Sequence, residues 1–168
     1  VTFTLAEGLV SAIRTTRDAS HADMLRNLER YSGVYAASIR RILADNASGR
    51  LSYVYNEFVR GSGLILFSRI LELFGFSRYT GRERSETIPT AQRYALLTSA
   101  TTSPAQATNI VRRYNQRANA TGGQIGVVIG SKQVAEGISF KRVRTVIVQT
   151  PWYNYATITQ AVARAIRF

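Results

Sequence analysis

Three polar residues near the end of the chain have the types and spacing of a phosphate-binding group. Gln160, Arg164 and Arg167 lie at positions i, i+4 and i+7, so on a helix they form one stripe. Guanidinium groups are planar and permanently charged, and they donate paired hydrogen bonds, which suits the oxygens of a polyphosphate. The stripe contains no carboxylate to offset its arginines. A solvated polar face is the alternative interpretation.

A glycine-bounded loop that precedes this stripe is a second candidate site. Ser131 and Lys132 follow Gly130, and Glu136 precedes Gly137. Glycines permit a close backbone approach, and a serine hydroxyl, backbone N–H groups and a lysine together can hold a phosphate. Glu136 has three open roles: it binds a ribose hydroxyl, accepts a hydrogen bond from an arginine, or caps the turn before the glycine.

Four aromatic residues flank the apolar runs of the chain. Tyr55 ends the first run, and Phe58 follows it. Trp152 and Tyr153 follow the last run. Such rings either stack on nucleobases or pack against the edge of a sheet. The sequence leaves both roles open.

Composition narrows the class of protein. The chain has 168 residues, enough for one domain with a sizeable core, and no apolar run approaches the ~20 residues of a membrane span. The absence of cysteine and the single histidine disfavour zinc sites and histidine-dependent triads. The net charge of +12 favours a polyanion partner, with a solubility charge as the alternative.

The periodicity of apolar residues alternates between helix and strand. Ser20, Ser32 and Ser103-Pro104 are helix-start signals. We predict helices over about 20–31, 32–46, 61–74 and 103–119, a last helix that ends at 167, and strands over 51–55, 94–98, 125–129 and 143–148. Residues 1–20 are predicted to be a weakly patterned lead-in, and residues 79–92 a loop.

This alternation predicts a parallel sheet covered on both faces by helices. Ligands of such sheets bind beyond the carboxyl ends of the strands. Four segments follow the predicted strands, namely 56–62, 99–103, 130–140 and 149–154. The unusual residues described above lie in or near these segments.

The chain resembles the second RecA-like lobe of superfamily 2 helicases. It is most similar to the helicases and DNA-dependent ATPases of large DNA viruses, a group that includes poxvirus early transcription factor, nucleoside triphosphatase I, and African-swine-fever-like and giant-virus proteins. Residues 51–63 are similar to helicase motif IV, residues 128–143 to motif V, and residues 160–167 to motif VI. The resemblance implies an α/β, RecA-like three-layer sandwich with a mainly parallel sheet, of the P-loop NTPase type. It implies a lead-in segment and helix over 1–30 and the helicase C-terminal domain over 31–168, truncated after motif VI.

The resemblance also implies roles for the site residues. Arg164 and Arg167 match arginine fingers that reach the ATP phosphates, and Gln160 matches a supporting residue. Glu136 and Gly137 match the motif V turn, which couples the nucleotide to the nucleic-acid track. The positions that match this track are Tyr55, Phe58, Arg60, Ser131 and Lys132. Ala163 replaces the glycine usual in motif VI, which puts the arginine geometry in question.

The sequence lacks a G-x-x-x-x-G-K-[ST] phosphate loop and a D-E-x-x box. We therefore expect ATP and Mg²⁺ to be bound mainly by an N-terminal RecA-like lobe of the same polypeptide, and we expect this chain to be inactive alone. The other expected partner is nucleic acid, with DNA favoured over RNA, and no membrane. The resemblance implies the virion or host cytoplasm for a viral protein, and an intracellular location otherwise.

Two other classes of function are weighed against the motor lobe. A catalytically inactive RecA-like domain could bind nucleic acid or act as a scaffold in a viral transcription or replication factor. An unrelated dinucleotide-binding enzyme is disfavoured, because no G-x-G-x-x-G follows the first strand.

Overall fold

A computed structural model describes residues 4–83, 92–131 and 138–150, together with five positions of a further helix, Ala156, Thr159, Gln160, Val162 and Ala163. The described helices are α1 (Glu7–Ile13), α2 (His21–Glu29), α3 (Gly33–Ala47), α4 (Leu64–Leu73) and α5 (Pro104–Asn115). The described strands are β1 (Leu51–Tyr55), β2 (Ser77–Arg78), β3 (Arg93–Leu97), β4 (Val127–Gly130) and β5 (Val143–Val148).

The five strands form one sheet in the order β2-β3-β4-β1-β5, and every neighbouring pair is parallel. Helices pack against both of its faces, so the predicted three-layer α/β architecture is confirmed. Parallel pairing brings the carboxyl ends of the strands to one edge of the sheet.

Serine side chains begin three of the helices, as predicted. Ser20 Oγ accepts from the Asp23 N–H at 3.1 Å, and Ser32 Oγ accepts from the Tyr35 N–H at 3.2 Å. Ser103 forms a reciprocal capping box with Gln106, whose side chain accepts from the Ser103 N–H at 3.0 Å. These bonds satisfy backbone donors that a helix leaves unpaired at its start.

Alternating residues of the strands divide the core into two clusters. The first face of the sheet, which carries Val54, Leu96 and Ile129, packs against α1, α2, α3 and α4. The second face, which carries Tyr53, Leu97 and Val128, packs against α5. The period-two alternation of a strand accounts for this division.

Three local features differ from the sequence prediction. Residues 7–13 of the predicted lead-in form α1, whose Ile13 is fully buried in the first cluster. Residues 77–78 form β2 beside β3. Helix α5 ends at Asn115 and is followed by a 3-10 turn over Arg117–Asn119, where the buried Asn119 side chain accepts from the Ile125 N–H at 2.8 Å and donates to the Ile125 carbonyl at 3.0 Å. These bonds turn the chain toward β4.

Candidate ligand-binding edge of the sheet

The carboxyl ends of four strands are aligned in one row. Leu97 of β3 pairs with Gly130 of β4, Gly130 pairs with Tyr55 of β1, and Tyr55 pairs with Val148 of β5. The segments that follow these strands therefore begin at the same level. All four segments singled out as ligand-binding in the sequence begin at or just after these strand ends.

The residue that directly follows each of these four strands is polar and buried. Thr98, Ser131, Asn56 and Gln149 are between 0% and 7% exposed. Buried polar side chains require partners, because an unpaired group forfeits its interactions with water. The row therefore marks the boundary between the apolar core of the sheet and its polar edge.

Hydrogen bonds join two members of this row to helix α3. Asn56 Nδ2 donates to Gln149 Oε1 at 3.0 Å, and Gln149 Nε2 donates to Ser38 Oγ at 3.1 Å. Ser38 Oγ in turn donates to the Val34 carbonyl at 2.7 Å. This network, which we call the edge network, fixes the ends of β1 and β5 relative to α3.

The turn between β1 and α4 is held by its own backbone. The Phe58 N–H donates to Asn56 Oδ1 at 2.9 Å, and the Phe58 carbonyl accepts from the Leu64 N–H at 2.9 Å. A Cβ at Gly63 would overlap the Phe58 carbonyl group and would lie 3.0 Å from the Arg60 oxygen. The turn closes so tightly that this position requires glycine.

A cleft with a volume of about 350 Å³ lies between this turn and the junction of α2 and α3. Among the described residues, the large apolar side chains that remain exposed are Tyr31 at 63%, Val34 at 51% and Phe58 at 61%, and all three line this cleft. Asn56, Gln149 and Thr150 of the strand ends line it as well. Sequence analysis assigned Tyr31 no functional role, although residues 31–35 resemble the segment that precedes the helicase lobe in the viral group.

The predicted nucleic-acid positions have different environments. Phe58 and Arg60 are exposed on the turn after β1. The Tyr55 ring packs in the second cluster at 2% exposure, and burial, followed by the nearby Glu57 charge, raises the pKa of its hydroxyl. Ser131 is 3% exposed at the end of β4. Their proposed contacts with nucleic acid remain predictions.

Two of these buried hydroxyls have no hydrogen-bond partner. Within the described part of the chain, Tyr55 Oη and Ser131 Oγ are both buried and unpaired. Unpaired buried polar atoms are rare in folded proteins, and a bound water, an ion or a catalytic role is among their explanations. The Ser131 hydroxyl, which lies within the row between the ends of β3 and β1, therefore fits a polar ligand at the carboxyl edge.

The predicted phosphate-facing residues are only partly described. Gln160 is exposed on the helix that follows β5. Lys132, Glu136, Gly137, Arg164 and Arg167 lie outside the described residues, as do Trp152 and Tyr153. Their roles stay predictions.

A chain of threonine hydroxyls follows β3. Thr98 Oγ1 lies 2.6 Å from Thr101 Oγ1, and Thr101 Oγ1 lies 3.3 Å from Thr102 Oγ1. Arg78 Nη2 donates to the Thr101 carbonyl at 3.0 Å. The sequence placed this segment at the carboxyl edge without assigning it any residue-level role. The spacing of hydroxyl residues did not predict that they bond to one another.

The described residues contain no group of three or more His, Cys, Asp or Glu side chains that could hold a metal ion. None of the helices in the described ranges is long and apolar enough to cross a membrane.

Residues 38–168 match the helicase conserved C-terminal domain, and the chain belongs to this family. The match begins within α3 and includes all five strands, so it covers the sheet and the whole row of strand ends.

Several relatives of the chain come from large DNA viruses. The chain is 38% identical to 087L of Invertebrate iridescent virus 3 over 86% of its own length and 15% of that protein. It is 41% identical to 009L of Frog virus 3 (isolate Goorha) over 84% of its length and 14% of that protein. Both names contain the word helicase.

A third relative, from Heliothis virescens ascovirus 3e, is 31% identical over 93% of the chain and 16% of that protein. Its name includes the words ATP-dependent RNA helicase. The chain thus spans about one sixth or less of the length of these relatives. No solved structure matches the chain.

Proposed function

We propose that the chain is the C-terminal motor lobe of an ATP-dependent nucleic-acid helicase or translocase. The observation that carries this proposal is the helicase C-terminal match over residues 38–168, a stretch that includes the aligned polar strand ends. The net charge of +12 supports a polyanion partner, because positive charge on a protein releases the counterions of phosphates.

The proposed ATP-directed group is the motif VI stripe of Gln160, Arg164 and Arg167. The arginines would stabilise charge on the transferring phosphoryl group, and Gln160, which is exposed, would support them. Glu136 and Gly137 would couple this group to the nucleic-acid track. Bound ATP and Mg²⁺ would supply the phosphoryl chemistry, and they would be held mainly by an N-terminal lobe of the same polypeptide.

The proposed nucleic-acid track runs along the carboxyl edge of the sheet. The exposed Phe58 and Arg60 support it, as does the unpaired hydroxyl of Ser131. Lys132 would add a positive charge to the track. Tyr55, whose ring is buried, would support the track from below the edge of the sheet. The names of the relatives do not separate DNA from RNA, and we propose DNA.

The central test is Arg167→Ala in the full-length protein. We expect nucleic-acid-stimulated ATP hydrolysis to fall by at least ~10³-fold, because an arginine finger contributes that much to phosphoryl transfer. Strand binding should stay within about threefold of the original. Arg112→Ala, which removes an exposed arginine of α5, is the matched control and should leave both measurements unchanged. Stimulated turnover that survives in Arg167→Ala would overturn the assigned role.

The second candidate is a catalytically inactive module that binds nucleic acid or acts as a scaffold. The charge and the polar strand ends suit this function equally well, since neither requires hydrolysis. The discriminating observation is the sequence before Val1 in the full-length protein. An intact phosphate loop there favours the motor, whereas a degraded loop favours the scaffold.

A further inference from the structure

We propose that the cleft between Tyr31 and Phe58 binds a single nucleobase, which stacks on these rings. The inference rests on the proposed function, because it supposes that the carboxyl edge handles nucleotides. It adds a base-binding site and a residue, Tyr31, from outside the segment that matches the helicase family.

The first support is the location of the exposed apolar side chains. In the described ranges, the three large ones all line this cleft, while the remaining large apolar side chains are at least partly buried. An isolated exposed apolar residue is ordinary, but a cluster around a concave surface marks a binding site. Its volume of about 350 Å³ lies within the range of ligand pockets.

The second support is that Phe58 is held in its exposed position. Both of its backbone groups are hydrogen-bonded, and the neighbouring Glu57 N–H donates to Thr150 Oγ1 at 3.1 Å. Tyr35 Oη donates to the Ser62 carbonyl, which ties the same turn to α3. A ring on such a turn loses little conformational freedom when a ligand stacks on it.

Tyr31 lies on the opposite wall of the cleft, and its backbone is held by hydrogen bonds. Its N–H donates to the Leu28 carbonyl at 2.9 Å, and the Ser32 N–H donates to the same oxygen at 2.9 Å. Ser32 then begins α3, so Tyr31 has only a short connection between two packed helices in which to move. The cleft therefore has on each wall an aromatic residue whose backbone is held by hydrogen bonds.

The polar lining suits the edge of a base. The Gln149 amide uses one N–H for Ser38 and accepts one hydrogen bond from Asn56, so it retains one donor and one acceptor position. Gln149 and Asn56 both line the cleft. A nucleobase combines apolar faces with donors and acceptors along its edge, which matches this arrangement.

Charge around the rings argues for base stacking and against a phosphate site. None of the described residues that line the cleft is charged. The lining therefore offers a phosphate no direct charge partner. Stacking on an aromatic ring does not depend on net charge and tolerates any base.

The test compares strand binding with and without bases. The full-length protein is titrated with a fluorescent twelve-nucleotide oligothymidylate and with an abasic strand of the same length. We expect Phe58→Ala and Tyr31→Ala each to weaken oligothymidylate binding by about tenfold, because stacking on one ring has roughly that effect. Binding of the abasic strand should not change. Equal weakening for both strands would overturn the proposal, and so would unchanged binding of both strands together with unchanged affinity for a fluorescent ATP analogue.

A second arm identifies the source of the base. Affinity for a fluorescent ATP analogue is measured in the same variants. If Phe58→Ala weakens the analogue and spares the oligothymidylate, the bound base is the adenine of ATP, and if the reverse holds, it belongs to the strand. Either pattern supports a nucleobase site.

Conservative variants separate stacking from simple hydrophobic docking of a protein. Phe58→Trp should retain affinity, whereas Phe58→Leu should lose it, because leucine covers the same surface without a ring. Full binding by Phe58→Leu would contradict the proposal. Thr108→Ala, which changes an exposed neutral side chain of α5 that does not line the cleft, is the control and should change affinity less than threefold. Since these side chains are exposed, the variants should share the unfolding midpoint of the original protein.

The outcomes also separate this inference from the proposed function. If the abasic strand binds with a steep salt dependence and ATP hydrolysis persists, but neither ring matters, only the nucleobase site is wrong. If the abasic strand does not bind at any salt concentration, the proposed track itself is wrong.

Discussion

The tyrosines on the two faces of the sheet differ in their hydrogen bonding. On the first face, Tyr35 and Tyr94 both have hydrogen-bond partners, and Tyr94 Oη donates to Glu72 at 2.6 Å. On the second face, Tyr114 Oη donates to the Ser52 carbonyl at 2.8 Å, while Tyr55 Oη is buried without a partner. The two tyrosines of the first face are paired, whereas the second face leaves one tyrosine hydroxyl unpaired below the carboxyl edge.

The difference shows where the fold gains stability and where it positions a site. Four helices cover the first face, and its tyrosines tie neighbouring elements together. On the second face, α5 is the one helix whose bounds are described. We infer that the first face supplies most of the stability and holds the turn that carries Phe58.

The strongest test of this comparison is Phe67→Ala. Phe67 is fully buried in the first cluster, and its ring lies 5.1 Å from that of Tyr35. Removing it leaves a cavity, so we expect the free energy of unfolding to fall by about 3–5 kcal/mol in urea denaturation. A loss below ~1 kcal/mol would show that the first face does not carry the stability.

The second prediction concerns the turn that the first face holds. Gly63→Ala places a methyl group against the Phe58 carbonyl, and we expect a loss of about 1–3 kcal/mol, since backbone must move to relieve the overlap. Gly33→Ala is the matched control, because a Cβ there would meet nothing within 4 Å. If both variants unfold at the same urea concentration, the turn is not as tightly closed as described.

The smallest effect separates the two tyrosines of the second face. Tyr114→Phe removes a buried hydrogen bond and should cost about 1 kcal/mol of unfolding free energy. Tyr55→Phe removes an unpaired hydroxyl and should be neutral or slightly stabilising in the same assay. A larger loss for Tyr55→Phe than for Tyr114→Phe would reverse the comparison.

Much of the fold was predictable because its signals are local. Ser20, Ser32 and Ser103 mark helix starts by side-chain chemistry within one turn, and the prediction of a strand over 143–148 was confirmed residue for residue. Helix α1 was missed because it lacks a side-chain cap and depends on burying Ile13 against distant residues. Strand β2 was missed because two residues are too few to show periodicity.

The candidate site was predictable only in part. The position of Phe58 after the first strand indicated the carboxyl edge, but exposure cannot be read from a single aromatic residue. Tyr55, three positions earlier, carried the same ambiguity and lies in the core. The contribution of Tyr31 depends on the α2–α3 junction meeting the turn after β1, which is a tertiary contact with no local signal.

The edge network has a mechanical consequence. Asn56, Gln149 and Ser38 connect residues that are 93 and 111 positions apart in sequence, and Asn56 also accepts from the Phe58 N–H. The turn that carries Phe58 is therefore joined through side chains to the ends of two strands and to a helix. We expect the turn to move together with the sheet under load.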